Sequence, residues 1–539
     1  MGWKHSAITP GPCGLLRPDQ HVVEFTGRVV EQTVLTSWCA SAEGRSVRII
    51  AGPGGSGKTR LALRAATVFE AGRGQWRLVP AGDEARAVAA ARAKTPGPLL
   101  LVVDGAEARP ELRPLLTAVL GDPGRIRVLL LARALGEWWG ELIEQSEPAI
   151  RQLLTEAEPL QLARPVVPDL GDAELARAAL PYFASALHLT VPLQVSFGLP
   201  AQRLPVLLLH AAALVAVLRS AAAPAAGLRL DITTGMLDEL LEHEARYWQR
   251  SARAAGLSTD GAVLGQVTAA AALLGSPDPA ETARVIARVP GLAGASRARR
   301  RSWAHWLHEL YPPAPDGSLG SLQPALLAEA HITRQLAADP ALARVCLREL
   351  TGEQASRVLT ILARARWHTR GAGELIATAL RADLEGLAGP AAQVARQASD
   401  GLGALLAAVL ADAPCPPEQF LDLAATLPYP SAALAPAHLA AARRVAAWLR
   451  SVPPGAEPAW AAEWHGWAGS RLAQLGEPAE ALEVIWEEVQ LRRELAAADR
   501  SRHGHGLARA LSGLAALLTD LGRDADAAQV REEAASLGG

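Results

Sequence analysis

Short apolar runs alternate with helix-favouring stretches through the first third of the chain. Five runs have the length and mainly apolar character of buried strands: 47–51, 76–80, 98–104, 126–133 and 160–163. Buried strands separated by helices are typical of a parallel sheet covered by helices on both faces. The pattern therefore predicts a multidomain chain whose residues 25–164 form an α/β domain.

The flanking regions lack this alternation. Residues 1–24 are rich in proline and glycine and are predicted to form a tail or linker. From residue 165 the strands are lost, and an alanine- and leucine-rich composition favours helices. Residues 471–481 and 516–528 share a leucine-glycine turn followed by small residues, which resembles tetratricopeptide repeats. Such stacked helices present concave surfaces, so this region is predicted to bind a ligand or protein partner.

The first predicted strand runs directly into a glycine-rich segment and then a helix. The segment, Gly52-Pro-Gly-Gly-Ser-Gly-Lys58-Thr59, fits the spacing of a phosphate-binding loop. Lys58 is one of only three lysines, in a chain with 53 lysines and arginines together, and a compact ammonium suits this place. Lys58 would bridge the β- and γ-phosphates, and Thr59 would bind Mg²⁺. The predicted nucleotide contacts of the loop are Gly52, Gly54, Gly55, Ser56, Gly57, Lys58, Thr59 and Arg60.

Charged residues end two of the later strands. Asp104 ends the third strand, beside the loop if the strands are neighbours, and would hold Mg²⁺ through its water shell. Glu107, three residues on, is the candidate that orients the attacking water. Arg133 ends the fourth strand and could detect a γ-phosphate. The structural alternatives are a capping aspartate, a solvated turn glutamate and an ordinary surface arginine.

Composition narrows the choice of partners and compartment. The formal net charge of −2 gives no overall field that would attract nucleic acid or an anionic membrane. The four cysteines are scattered without pair spacing, as free thiols in a reducing compartment would be. No signal peptide is visible, and the longest apolar run, 204–218, is too short to span a bilayer. A cytoplasmic protein is predicted.

Taken together, these motifs resemble the STAND class of signal-transducing P-loop ATPases, which includes the NACHT and NB-ARC groups. The matching segments are 25–31 (Phe-x-Gly-Arg-x-x-Glu), 52–59, 100–107 and 127–133. A small residue after Asp104 and a second acid three positions on are similar to the NACHT arrangement. The resemblance implies that Arg28 contacts the nucleotide. It also implies the following order of domains: α/β P-loop NTPase domain 25–164, helical domain 165–255, winged-helix-like domain 256–340, helical repeats 341–455 and tetratricopeptide-like α-solenoid repeats 456–539.

The resemblance also suggests two nucleotide contacts in the helical regions. Pro205 is similar to a family proline that packs near the base, although a proline that simply begins a helix is the alternative. His331 lies in a segment similar to one whose histidine reaches the ADP β-phosphate, but the flanking methionine and aspartate are absent. A helix histidine with no ligand is its alternative.

By resemblance, the chain is a switch that alternates between ADP and ATP with Mg²⁺ and hydrolyses ATP weakly to reset itself. A ligand or protein at the C-terminal repeats would trigger nucleotide-dependent homo-oligomerisation and activate a separate effector protein, with anti-phage defence as the favoured setting. One alternative is a constitutive scaffold in which the nucleotide is structural. Another is a DNA-binding regulator, which the basic cluster at 297–301 could suggest but the near-neutral charge disfavours.

Overall fold

The computed structural model forms two compact units, Met1–Leu375 and Ile376–Gly539. The residues that it describes are 11–41, 44–93, 97–162, 171–192, 194–200, 204–222, 227–233, 235–258, 260–276, 278–311, 320, 322–397, 401–412, 414–451 and 457–537.

Strands and helices alternate at the start of the first unit. The elements are α1 (Val29–Ala40), β1 (Arg45–Ala51), α2 (Lys58–Ala71), β2 (Gln75–Leu78), α3 (Ala87–Arg92), β3 (Leu99–Asp104), α4 (Leu112–Gly121), β4 (Ile126–Ala132), α5 (Glu137–Glu144), α6 (Pro148–Thr155) and β5 (Pro159–Gln161). All five strands pair in parallel in the order β2-β3-β4-β1-β5. The predicted α/β fold with a parallel sheet is confirmed.

Helices cover both faces of this sheet because successive side chains of each buried strand point to opposite faces. On one face, Ile49, Leu101 and Leu130 lie in a core with α3, α4, α5 and α6. On the other face, Ile50 and Leu129 pack with α1 and α2. The two cores hold the carboxyl ends of β1, β3 and β4 on one edge, where the candidate site lies.

The rest of the first unit is mainly helical. Its elements are α7 (Asp172–Ala186), β6 (Val195–Gly198), α8 (Val206–Ala222), β7 (Leu228–Asp231), α9 (Gly235–Ala254), α10 (Gly261–Leu274), α11 (Pro279–Arg288), α12 (Arg297–Leu310), α13 (Ala325–Ala338), α14 (Pro340–Cys346) and α15 (Gly352–Ala365). The prediction that strands are lost after residue 164 is wrong, since β6 and β7 form a two-stranded parallel sheet. Each strand has only four residues, which is too short for a clear periodic signal.

The prediction of a tail or linker before residue 25 is also wrong for its described part. Residues Pro12–Leu16 and Pro18–Gln20 form two 3₁₀ turns, and Cys13 is 1% exposed. The backbone N–H of Cys13 donates to Glu244 Oε2 at 3.4 Å on α9. The prolines prevent a regular helix, but the apolar side chains between them are buried, so the segment packs onto the unit instead of linking to it. Residues 1–10 lie outside the described part.

Helices 13 to 15 belong to the same compact unit as the sheet. The predicted boundary at 340/341 falls after the first residue of α14 and separates α13 from α15. In the structure α15 packs against α10 and α13, and the compact unit extends to Leu375. The segment in which a wing would be expected, between α12 and α13, includes residues 312–319 and 321, which lie outside the described part of the chain. The winged-helix-like domain therefore stays a prediction.

The second unit consists of helices wherever the structure describes it. They are α16 (Ala372–Ala382), which begins in the first unit, α17 (Leu384–Gln397), α18 (Leu402–Asp412), α19 (Pro417–Thr426), α20 (Ala435–Leu449), α21 (Pro458–Gln474), α22 (Pro478–Ala498), α23 (Arg500–Asp520) and α24 (Asp524–Leu537). Within the described ranges, no helix of either unit has both the length and the apolar character needed to cross a bilayer.

The two predicted repeat motifs adopt the same turn. Gly476 after α21 and Gly522 after α23 have φ of +86° and +72°, a left-handed conformation that favours glycine. In both turns the N–H after the glycine donates to a leucine carbonyl five residues earlier, Glu477 to Leu472 and Arg523 to Leu518. A Cβ on Gly469 would lie 2.5 Å from Ile485, so a small residue there lets α21 and α22 approach closely. These paired helices fit the predicted repeat architecture.

Candidate nucleotide-binding site

The glycine-rich segment forms a loop between the end of β1 and the start of α2. Gly55 and Gly57 have φ of +75° and +93°. No described residue accepts a hydrogen bond from the backbone N–H of Gly54, Gly55 or Gly57. The first N–H groups of a helix have no partner within it, and they carry its positive dipole end. The loop and the N-terminus of α2 therefore offer a set of donors suited to an anion.

Lys58 is 9% exposed and folds back over the loop. Its ammonium donates to the carbonyl oxygens of Gly52 at 2.5 Å and Pro53 at 3.0 Å. Burial lowers the pKa of Lys58 to about 8, against the opposing effect of Asp104 and with a further lowering by Arg133. The position of this buried cation beside free N–H donors is the arrangement that a polyphosphate requires.

Thr59 and Asp104 meet although their strands are not neighbours. The Thr59 hydroxyl donates to Asp104 Oδ2 at 2.9 Å. In the sheet, β4 lies between β3 and β1. The contact forms because α2 starts over the carboxyl edge of the sheet, within reach of the end of β3. A hydroxyl beside a carboxylate offers the hard oxygen ligands that Mg²⁺ prefers.

Arg133 follows β4 and lies against the loop. A Cβ on Gly54 would be 3.5 Å from the Arg133 guanidinium carbon. The guanidinium donates to Glu329 Oε1 on α13 at 2.8 Å, and the two side chains are 22% and 5% exposed. Burial raises the pKa of Glu329, although Arg133 and Arg364 oppose that rise. The end of β4 is thus joined to α13 by a largely buried ion pair.

Glu107 occupies a 3₁₀ turn after β3 and is 6% exposed. Its Oε1 accepts a hydrogen bond from Arg364 of α15 at 3.2 Å. Its Oε2 is buried and has no hydrogen-bond partner among the described residues. The solvated-turn alternative for Glu107 does not hold, since the carboxylate is buried and paired.

Of the other predicted contacts, Arg28 and Pro205 lie against the loop, and Arg60 does not. Arg28 donates to the carbonyl oxygen of Ser56 at 3.0 Å and pairs with Glu31 at 2.8 Å. Arg60 instead donates to the carbonyl of Val23 at 2.7 Å, which directs it toward the N-terminal segment. On the other side, Cβ of Pro205 lies 3.3 Å from where a Cβ on Gly55 would be.

The structure does not bring His331 to the loop, which corrects the prediction that it contacts ADP. His331 is 3% exposed, and its ring packs edge-on against Trp248 of α9 at 4.9 Å. Its Nε2 lies 2.9 Å from Thr268 Oγ1 and 3.1 Å from the carbonyl of Gly265 on α10. Because the Thr268 hydroxyl donates to Leu264, we assign the proton to Nε2. Burial lowers the pKa of His331 to about 4, so the ring is neutral at pH 7. The helix-histidine alternative fits this environment.

We expect the substitution His331→Ala to destabilise the fold by about 2–4 kcal/mol through lost packing and unpaired groups. ADP release should not change. The folded pKa lies below the unfolded value, so the stability that neutral His331 contributes is full above about pH 6.5 and declines as pH falls toward 4. The stability difference between parent and variant should therefore be smaller at pH 5 than at pH 7, as measured by urea unfolding. Faster ADP release from the variant would instead support the nucleotide contact.

The residues of the loop fit a nucleoside phosphate with Mg²⁺. The free N–H donors and Lys58 suit the phosphates, and Ser56 Oγ is a further buried atom without a hydrogen-bond partner among the described residues. The described chain holds no cluster of three or more histidine, cysteine or carboxylate side chains that could bind a metal. The predicted Mg²⁺ site uses only Thr59 and Asp104, and phosphate and water oxygens would complete it. ATP, ADP and Mg²⁺ remain predictions.

Three residues of this site are absent from the predictions made on sequence: Glu329, Arg364 and His368. His368 Nε2 lies 3.4 Å from Glu329 Oε2, but burial lowers the pKa of His368 to about 4, so no ion pair forms at pH 7. Glu329 lies 196 positions from Arg133, and Arg364 lies 257 positions from Glu107. His368 reaches the site only through Glu329. No local motif marks them.

The chain matches no protein-family model. None of the curated proteins matches it significantly. Among solved structures, it is similar to a Pyrococcus horikoshii protein, a signal transduction ATPase with numerous domains (STAND) that has a tetratricopeptide repeat sensor. The similarity has 12% sequence identity, covers 96% of this chain and 77% of that one, and has a TM-score of 0.22. A TM-score this low does not establish that the two chains share a fold.

Proposed function

We propose that the chain is a nucleotide-dependent signalling switch of the STAND type, with weak ATPase activity. The observation that carries the proposal is the ion pair between Arg133, beside the loop, and Glu329 of α13. The loop supplies the phosphate site, and the ion pair gives that site a direct contact with a helix outside the α/β domain. Binding of a nucleotide at the loop could then change the position of α13.

The proposed switch depends on competition for Arg133. Its guanidinium has Glu329 as a buried anionic partner, and a γ-phosphate oxygen at the loop would be a second candidate for the same N–H groups. Breaking one side of a buried pair costs several kcal/mol unless another charge replaces the lost partner. A triphosphate can replace Glu329, whereas a diphosphate lacks the group that would reach Arg133. That difference in contacts is what a ligand needs in order to shift a two-state equilibrium.

The chain's own residues have distinct parts in hydrolysis. Bound nucleotide and Mg²⁺ supply the phosphoryl group and its charge neutralisation. Lys58 and the loop N–H groups hold the phosphates, and Thr59 and Asp104 hold the metal. Glu107 is the carboxylate that would accept a proton from, and orient, the attacking water. Hydrolysis would return Arg133 to Glu329 and reset the switch.

The resemblance extends the proposal beyond the first unit. A ligand or protein bound at the C-terminal repeats would favour the triphosphate state, and that state would form homo-oligomers and activate a separate effector in the cytoplasm. Anti-phage defence is the proposed setting. The helix pairs α21–α22 and α23–α24, with their matching turns, support a binding role for this region.

The central test is to identify the nucleotide that is released when the purified protein is denatured, and to measure the native mass with ADP and with ATP and Mg²⁺. Co-purified ADP and an increase in mass only with ATP are expected. A mass that does not respond to nucleotide, with no turnover, would favour the scaffold.

We expect Glu329→Gln to raise the affinity for a non-hydrolysable ATP analogue relative to ADP by about tenfold, a coupling of about 1.4 kcal/mol. The neutral amide keeps the size of the side chain but no longer competes for Arg133 as an anion. Titration calorimetry with both nucleotides measures the ratio. Asp238→Asn is the matched control, because Asp238 of α9 forms an exposed ion pair with Arg334, which lies on the same helix as Glu329. An unchanged ratio in Glu329→Gln would show that Glu329 and the γ-phosphate do not compete for Arg133.

A further inference from the structure

We propose that Arg364 of α15 positions Glu107 for hydrolysis, so that an active site requires α15 as well as the α/β domain. The inference rests on the proposed ATPase function and deepens it. It assigns to a residue 257 positions from Glu107 a part in the chemistry of the loop.

The contact between the two side chains leaves one carboxylate oxygen available. Arg364 donates to Glu107 Oε1 at 3.2 Å, while the buried Oε2 has no hydrogen-bond partner among the described residues. A carboxylate fixed through one oxygen keeps one rotamer and presents the other oxygen as an acceptor. That is what a residue needs to orient a water molecule and take its proton.

Electrostatic interactions with Lys58 show that Glu107 and Arg364 lie near the phosphate site. Glu107 and Arg364 both act on the ammonium of Lys58, the first favouring its charged form and the second opposing it. Arg364 is 26% exposed. Its neighbours include a like charge, Arg133, and the acids Glu107, Glu329 and Asp104. Arg364 is thus part of the charge cluster around the loop and not an isolated surface residue.

A second buried glutamate shows how Glu107 differs from an ordinary structural acid. Glu84 also pairs through Oε1 with an arginine, Arg109 at 2.9 Å, and its Oε2 also has no hydrogen-bond partner in the described chain. Both members of that pair come from the α/β domain. The partner of Glu107 comes from α15, which packs on α10 and α13. Glu107 is therefore held only while α15 lies against the end of β3, which would couple hydrolysis to the helical region.

The test compares Arg364→Ala, Arg364→Lys and the control Arg370→Ala, which removes an exposed arginine a few residues on. We expect Arg364→Ala to lower kcat at least tenfold and to leave the Kd for a non-hydrolysable ATP analogue within about twofold. Arg364→Lys should recover part of the rate, because only one N–H donor contacts Glu107. Arg370→Ala should behave as the parent.

Two further readouts separate positioning from a general loss of structure. Arg364→Ala combined with Glu107→Gln should be no slower than Glu107→Gln alone, because both changes disable the same step. In nucleotide-free protein, the melting temperature of the double variant should fall by less than the sum of the two single shifts. If Arg364→Ala does not fold, Arg364→Gln replaces it in the same comparison.

Several results would overturn the inference. They are an unchanged kcat in Arg364→Ala, rate effects that multiply in the double variant, and fully additive melting shifts. A parent that binds the analogue but never hydrolyses ATP would also overturn it, while leaving a switch that works by binding alone. A parent that binds no nucleotide would instead contradict the proposed function itself.

Discussion

Lys58→Ala is expected to lower the affinity for ADP and for a non-hydrolysable ATP analogue by a factor of about 100 or more. The ammonium would contact two phosphate oxygens, and hydrogen bonds to charged groups contribute about 1.5–3 kcal/mol each. Titration calorimetry at pH 7 measures the loss. Nucleotide that co-purifies with the parent should be absent from the variant.

The fold should survive this substitution. Burial already disfavours the charged form of Lys58 and lowers its pKa to about 8, so removing the ammonium also removes a cost to the folded state. Arg64→Ala is the matched control, since it removes an exposed cation from the same helix. Lys58→Arg tests whether a compact ammonium is required, because a guanidinium is larger and planar. Unchanged affinity in Lys58→Ala would contradict the assignment of the loop as a phosphate site.

The strands of the α/β domain could be predicted because each is a short, mainly apolar run that ends at or just before glycine, proline or a charge. The predicted strand 126–133 is observed as Ile126–Ala132, and 98–104 as Leu99–Asp104. The order of strands could not be predicted, because the insertion of β4 between β3 and β1 is set by packing across the sheet. The predicted strand 160–163 is observed as Pro159–Gln161, and residue 163 lies outside the described part.

The residues of the candidate site also divide into those that the sequence predicts and those that it does not. Lys58, Thr59 and Asp104 lie in local motifs, and the structure brings them together. Glu329 and Arg364 belong to helices whose sequences predict only packing. Their charges matter because α13 and α15 lie against the ends of β4 and β3, and no spacing along the chain reveals such an arrangement. His331 illustrates the opposite error, since a resemblance in sequence favoured the histidine, whereas Glu329 contacts Arg133 beside the loop.

We expect Glu107→Gln to bind the ATP analogue with parental affinity and to hydrolyse ATP about 100-fold or more slowly. A glutamine keeps the size and the hydrogen bond to Arg364 but cannot take a proton from water, and a positioned general base contributes about 10²–10⁴-fold to a rate. Release of phosphate in single-turnover conditions measures the chemical step directly. A parental rate would leave Glu107 as a structural partner of Arg364.

Glu84→Gln is the control that tests whether the slow hydrolysis expected of Glu107→Gln is specific to Glu107. Glu84 shares with Glu107 the burial, the arginine partner and the free oxygen, but only Glu107 acts on the charge of Lys58. If loss of any buried, paired carboxylate near this edge of the sheet slowed hydrolysis, both variants would be slow. A slow Glu107→Gln beside a near-normal Glu84→Gln would assign the effect to the glutamate of the two that lies within electrostatic reach of the phosphate site.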